Sequence, residues 1–333
     1  MSAEKKIPII IDTDPGLDDV ASIIWVLANP RFDVKALTIA HGNVGLEKCS
    51  INALRTLEIC KRPDIPVYKG AWKPLVYPER NASWVHGKDG IGDAGFPLPK
   101  GKVTPGFAPS EIVRIAKESP EPITLLAIAP ITNIALAIMQ DPDFKNHVKE
   151  ILFMGGAVRV PGNTSPGASF NIAVDPHAAK AVYDSGIPIV QLGLDVCDQV
   201  TQRHEDLAEI RNANTPVTDF LSRVMEFRTK AVMAIKNDKG ETVAEIPASA
   251  QAGRGTSGIG LNDLTTTGYL MNPDWFKTQS LCMDIETEGL TPGRTVADFL
   301  GLWGREPNCR LGLEVDGPAL VAQWVKDVRT FNP

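Results

Sequence analysis

What this 333-residue sequence lacks narrows its function before any motif is read. Basic runs are missing: 34 Lys and Arg stand against 40 Asp and Glu, a net charge of -6, and no cationic stripe stands out. A nucleic-acid polymer is therefore not an expected partner, while a single nucleoside or nucleotide stays open. No apolar run approaches the ~20 residues that span a bilayer, so a membrane partner is not expected either. Cysteine is scarce. Cys49, Cys60, Cys197, Cys282 and Cys309 form no C-x-x-C pair and no disulfide framework, and read as buried, reduced thiols. The stretch Met1-Ser2-Ala3-Glu4-Lys5-Lys6 runs directly into a strand without the apolar segment of a signal peptide. These features together predict a cytoplasmic protein. Internal repeats and linkers are also missing, which predicts one domain over residues 1–333.

What is present is an ordinary globular composition, 43% apolar and 22% charged. The first half alternates two periodicities. Short β-branched runs at Ile7–Ile11, Val34–Ala40, Pro66–Tyr68, Ile123–Ile128, Ile151–Met154 and Ile187–Leu194 read as strands. Leu17–Leu27, Leu46–Cys60, Ile131–Met139 and Ala178–Tyr183 carry helical spacing. This rhythm predicts an α/β fold, an open, mostly parallel, mixed sheet with helices on both faces. Leu281–Ile285 and Arg310–Val315 read as further strands, and Thr215–Ile235 as one long helix. Two segments break the pattern. Lys69–Gly106 is a long loop, and Lys236–Gly260 is polar and glycine-rich; either could cover a site at the sheet edge.

The first strand runs into Asp12-Thr13-Asp14-Pro15-Gly16-Leu17-Asp18-Asp19. In open parallel sheets ligands bind beyond the carboxyl ends of the strands. Four carboxylates within eight residues repel one another and stay ionised together at low cost only around a cation. An all-oxygen ligand set suits Ca²⁺ or Mg²⁺ rather than zinc. The competing reading is a solvated turn with helix-capping aspartates.

This loop resembles the N-terminal signature of the nucleoside hydrolase family, and further landmarks follow in family order. They are Thr38-Ile39-Ala40-His41-Gly42-Asn43, Leu126–Asn133, Met154-Gly155-Gly156, Gly162-Asn163, Phe170-Asn171 with Asp175-Pro176, and Leu194-Asp195-Val196. The resemblance implies a Rossmann-like nucleoside hydrolase fold and hydrolysis of an N-glycosidic bond, giving free base and ribose. It implies Ca²⁺ in preference to Mg²⁺ as the cofactor, and a homodimer or homotetramer. By resemblance, Asp14 holds the attacking water as general base. Asp14, Asp19, the backbone carbonyl of Ile128 and Asp263 bind the metal, and Asp18, Asn43, Asn163, Asn171 and Asp263 contact the sugar. The chemistry is consistent with these residue types. Carboxylates stabilise the oxocarbenium-like sugar of glycoside hydrolysis, and a metal fixes and activates a water.

The chain leaves the family pattern at two positions. Ala168-Ser169-Phe170-Asn171 stands where the family carries Ala-Glu-Phe-Asn. The missing Glu leaves two readings of the sugar 5′ position, next to Ser169: it is modified, phosphorylated or read differently, or the change is simple drift with weaker ribose binding. Asn262 stands where many members carry a histidine that protonates the leaving base, and an amide cannot act as a general acid. His86, within Val85–Gly90, is the candidate replacement, followed by Trp84 and Arg228. His147, His177 and His204 read as surface residues, and Trp25, Trp275, Trp303 and Trp324 as core or interface residues.

Two rival functions share parts of the pattern. A haloacid dehalogenase-type phosphatase also places D-x-D after its first strand, but Pro15-Gly16 and the later landmarks do not suit it. A non-catalytic nucleoside- and metal-binding homologue would tolerate the changes at Ser169 and Asn262. It would have no reason to retain the mutual repulsion of Asp14, Asp19 and Asp263.

Overall fold

The computed structural model describes residues 5–228, 232–236, 242–247 and 259–333. Its strands are β1 (Ile7–Thr13), β2 (Phe32–Ile39), β3 (Val67–Lys69), β4 (Ile123–Ala127), β5 (Val148–Phe153), β6 (Ile189–Gln191), β7 (Thr201–Gln202), β8 (Val232–Lys236), β9 (Thr242–Pro247), β10 (Ile259–Gly260), β11 (Phe276–Ile285), β12 (Thr295–Asp298) and β13 (Cys309–Val315). The α-helices are α1 (Leu17–Ala28), α2 (Leu46–Ile59), α3 (Ser83–His86), α4 (Ala108–Glu118), α5 (Thr132–Gln140), α6 (Phe170–Val174), α7 (Pro176–Tyr183), α8 (Leu194–Cys197), α9 (His204–Arg211), α10 (Pro216–Arg228), α11 (Asn262–Met271) and α12 (Gly317–Thr330).

Nine strands form one sheet in the order β12-β11-β13-β6-β5-β4-β1-β2-β3. Every pairing from β13 through β3 is parallel, and β11 pairs antiparallel with both β13 and β12. The expected mixed, mostly parallel sheet is therefore present. Both faces are covered, because β1 sends Ile9 and Ile11 into one apolar core and Ile10 into the other. The first core packs against α1, α2, α10, α11 and α12, the second against α4, α5 and α7. The parallel order places the carboxyl ends of β1, β2, β4 and β5 side by side, where the acidic loop emerges.

Three expectations are corrected. The helix predicted over Thr215–Ile235 stops at Arg228, and Val232–Lys236 pairs antiparallel with Thr242–Pro247 instead. Tertiary pairing of a β-branched segment has overridden its helical spacing. The predicted loop Lys69–Gly106 contains one helical turn at Ser83–His86. Trp25 and Trp324 are fully buried core residues, and Trp303 is exposed on the single chain, so of the expected core or interface places it does not take the core one. Among the described residues no helix is long and apolar enough to cross a membrane.

Candidate active site

The acidic loop leaves β1 and turns at once into α1, and its geometry is built around Asp19. Thr13 Oγ1 donates to Asp19 Oδ1 at 2.6 Å, and the Gly16 backbone N donates to Asp19 Oδ2 at 3.0 Å. Asp19 therefore faces back over the first turn of α1, where a carboxylate is favoured by the helix dipole. Asp12 lies one step earlier inside the strand. Its Oδ1 accepts from Thr38 Oγ1 at 2.6 Å and from Asn133 Nδ2 at 2.9 Å, and its Oδ2 is buried without a partner.

The end of β2 supplies the clamp on Asp14. The Asn43 backbone N donates to Asp14 Oδ2 at 2.8 Å. The Asn43 amide donates to the Asp14 carbonyl at 2.9 Å and to Asp19 Oδ2 at 3.1 Å. Gly42 permits this approach, because a Cβ there would stand 2.0 Å from Asp14 Oδ2. Asp14 Oδ1 remains buried with no hydrogen-bond partner.

The electrostatics call for a cation. Burial lifts Asp12 to about 7. Burial and the neighbouring charge of Asp19 push Asp14 well above the ordinary carboxylate range, and burial with the charge of Asp18 pushes Asp19 up. Carboxylate oxygens of Asp18, Asp19 and Asp263 lie within 4.8 Å of one another, all three residues buried. Buried carboxylates at this spacing cannot share their charge without a counter-ion. An oxygen-only donor set, together with the unpartnered Asp14 Oδ1, fits a hard divalent metal. Asp18, which the resemblance assigns to the sugar, thus also belongs to this acidic group, and its charge acts on Asp14.

One pocket gathers most of the residues singled out in the sequence. Asp14, Asp18, Asn43, His86, Ile128, Asn163, Asn171, Asn262 and Asp263 all line it, as does Trp84. Ile128 reaches the pocket because its N–H donates to the Asp12 carbonyl at 2.9 Å, extending the ladder past the end of β4. Asn163 Oδ1 accepts from Phe170 N at 2.9 Å, and Asn171 Nδ2 donates to the Met154 carbonyl at 3.0 Å. These bonds use the oxygen of Asn163 and the NH₂ of Asn171, so the other amide atom is a donor in Asn163 and an acceptor in Asn171.

Ser169 is not in the lining. It is fully buried, and its Oγ accepts from Gly156 N at 2.7 Å, two residues beyond the lining residue Met154. Asn262 begins α11 directly before Asp263. His86 ends α3, and its Nδ1 accepts from Leu17 N at 3.0 Å. Arg228 ends α10, and its side chain lies outside the described residues, as does most of the segment expected over Lys236–Gly260. His204 is exposed, and His177 is half-buried against Tyr77 with ring centroids 5.6 Å apart.

Sequence reasoning missed Asp198, Phe170 and Met154 as pocket residues. Met154 and Phe170 stood inside motifs already noted, so their places were available by neighbourhood. Asp198 carried no signal, since it follows α8 in a polar stretch of no special spacing.

Comparison with known proteins bears on the family and the fold. The family model for inosine-uridine preferring nucleoside hydrolase matches residues 9–322. The pyrimidine-specific ribonucleoside hydrolase RihA of Klebsiella pneumoniae (strain 342) is 38% identical over 322 residues, 95% of this chain and 96% of that protein. The RihA of Salmonella paratyphi B is 36% identical over 316 residues, again 95% of this chain and 96% of that protein. Among solved structures, a purine-preferring ribonucleoside hydrolase from Gardnerella vaginalis superposes with a TM-score of 0.87 at 27% identity, covering 97% of this chain and 98% of that one. A plant nucleoside hydrolase superposes with a TM-score of 0.88 at 29% identity, covering 98% of this chain and 100% of that one.

Proposed function

The chain belongs to the inosine-uridine preferring nucleoside hydrolase family, and on that premise we propose that it hydrolyses the N-glycosidic bond of a ribonucleoside, releasing free base and ribose. The observation that carries the reading is the single pocket holding Asp14, Asp18, Asn43, Asn163, Asn171 and Asp263. The haloacid dehalogenase reading falls away with the family match.

Asp14 is the general base. Asn43 holds its Oδ2, so Oδ1 is the atom left to take a proton from water. Asp18, Asp19 and Asp263, with Asp14 and the Ile128 carbonyl, would hold a Ca²⁺ ion. Ca²⁺ suits a flexible set of carboxylate and carbonyl oxygens better than Mg²⁺, which keeps several waters in a strict octahedron. When bound, the cation lowers the pKa of a water and fixes its position.

The NH₂ of Asn163 and the oxygen of Asn171 offer a donor and an acceptor to the ribose hydroxyls, and Asp18 and Asn43 complete the clamp. Such fixed contacts orient the anomeric carbon. The carboxylates of Asp14 and Asp18 stabilise positive charge developing on the sugar. Trp84 and Phe170 give the base an apolar wall. Asn262 has no titrating proton, and His86 Nδ1 is occupied by Leu17 N, so we assign protonation of the leaving base to solvent.

The sugar's 5′ substituent is best read as uncharged. Four carboxylates (Asp14, Asp18, Asp198 and Asp263) line the pocket, with no lysine or arginine among its described residues. A phosphate would be repelled there. Residues 1–333 act as one domain in this reading, assembled as a homo-oligomer in the cytoplasm, where the products feed base salvage.

The test is incubation with purine and pyrimidine ribonucleosides and their 5′-phosphates, with chromatography of the products. Release of free base from nucleosides, faster than from the 5′-phosphates, is expected. Binding of nucleosides and Ca²⁺ with no base released from any of them would favour a non-catalytic homologue.

A further inference from the structure

Helix α1 begins at Gly16, which has no side chain to cap it. The first N–H groups of a helix need partners from outside. Leu17 N, at the first helical position, finds its partner 69 residues away, donating to His86 Nδ1 at 3.0 Å. The glycine is required for this contact, because a Cβ at Gly16 would stand 2.2 Å from that nitrogen.

Two more links run from the same segment, one to Asn43 and one through Asn52 to the acidic loop. Ala82 N donates to the Asn43 carbonyl at 2.8 Å. The Asn52 amide bridges the Pro15 carbonyl at 3.0 Å and the Asp89 carbonyl at 2.9 Å. His86 is itself held, its N–H donating to the Ala82 carbonyl at 3.2 Å and its carbonyl accepting from Gly92 N at 2.9 Å.

An imidazole nitrogen that accepts from a backbone N–H carries no proton, so the ring proton is on Nε2. An imidazolium would set a second N–H against Leu17 N, at the positive end of the helix dipole. We propose that His86 is a positioning residue: it caps α1 from another segment, and so holds Asp18 and Asp19, in the first turn of that helix, at the spacing the cation needs. The use of the site rests on the nucleoside hydrolase reading; the cap does not.

The proposal is tested on the calcium-loaded full chain by ¹⁵N-resolved imidazole NMR, with the His86 signals assigned by their loss in His86→Asn. The expected result, read at pH 8, is a protonated Nε2 and an unprotonated Nδ1. A protonated Nδ1 would overturn the proposal, and this readout needs no variant to be active. Calorimetric titration with CaCl₂ is the second arm. Asn can offer Oδ1 to Leu17 N, and Ala offers nothing. His86→Asn is expected to bind Ca²⁺ within about threefold of wild type, and His86→Ala on the order of tenfold more weakly, the scale of a lost helix cap. Equal affinity in wild type and His86→Ala would overturn it. The pH profile of kcat/KM is expected to keep its shape in His86→Asn, and disappearance of one limb would instead mark His86 as a proton donor. If the wild type releases no base from any nucleoside, the functional reading fails while the NMR and calcium arms still decide this proposal.

Discussion

Asn43 grips Asp14 twice, its backbone N donating to Asp14 Oδ2 at 2.8 Å and its amide to the Asp14 carbonyl at 2.9 Å. The second contact orients the backbone that carries the proposed general base. Asn43→Ala keeps the first and loses the second, together with the amide's 3.1 Å contact to Asp19. The expected outcome is a fall in kcat of roughly a hundredfold, the scale of a small misplacement of a catalytic group. Steady-state kinetics with circular dichroism checks it, and a folded Asn43→Ala with wild-type kcat would refute the clamp.

Asp12 makes a prediction about pH. Burial raises it in the folded chain to about 7 from an ordinary 3.8. Between those values the folded state binds the proton and the unfolded state does not. The resulting stability is fully present below about 4 and is lost as pH rises through 7. The metal-free protein should therefore melt higher at pH 5 than at pH 8. Asp12→Asn should remove its share of the difference, on the order of a few kcal/mol, and leave the part that Asp14 and Asp19 contribute with the same sign. Calorimetry in chelator tests the sign; a higher melting temperature at pH 8 would contradict it.

How much of this was legible in the sequence depends on how local each feature is. Asp14, Asp18 and Asp19 converge because one strand and one turn carry them, so their pattern shows in eight residues. The sheet was legible for the same reason, since each β-α unit is contiguous. The lengths of the edge strands were not. Thr295–Asp298 is held by its antiparallel partner Phe276–Ile285, a tertiary fact without local periodicity. Ser169 shows the opposite limit. Its motif placed it at the pocket, but the direction of its hydroxyl depends on Gly156, thirteen residues earlier. His86 was visible as a histidine in a matching loop, yet its tautomer depends on Leu17.

Ser169 then yields a prediction about stability rather than turnover. Removing its hydroxyl strands the buried N–H of Gly156. Ser169→Ala should lose roughly 1–3 kcal/mol, the cost of an unsatisfied buried donor. Its kcat/KM should stay within about threefold of wild type, as expected for a buried side chain outside the pocket lining. Denaturant titration beside nucleoside kinetics distinguishes this from direct contact with the sugar, which would show as a large rise in KM with unchanged stability.

Metal removal should act on stability as well as on activity, because Asp18, Asp19 and Asp263 are buried around the site. Calcium at a hundredfold excess over its dissociation constant should stabilise the chain by about 2.7 kcal/mol. Asp19→Asn and Asp263→Asn should lose most of that gain. Melting curves with chelator, CaCl₂ and MgCl₂ check this, and equal curves in all three would exclude a resident divalent ion.

The most direct test of the reaction is hydrolysis of a purified ribonucleoside in H₂¹⁸O, by wild type and Asp14→Asn, with mass spectrometry of both products. The geometry predicts one ¹⁸O at C1 of ribose, none in the free base, and turnover reduced at least about a thousandfold in Asp14→Asn, as for loss of a principal catalytic group. Unlabelled ribose, or Asp14→Asn turning over at the wild-type rate, would contradict a water activated by Asp14.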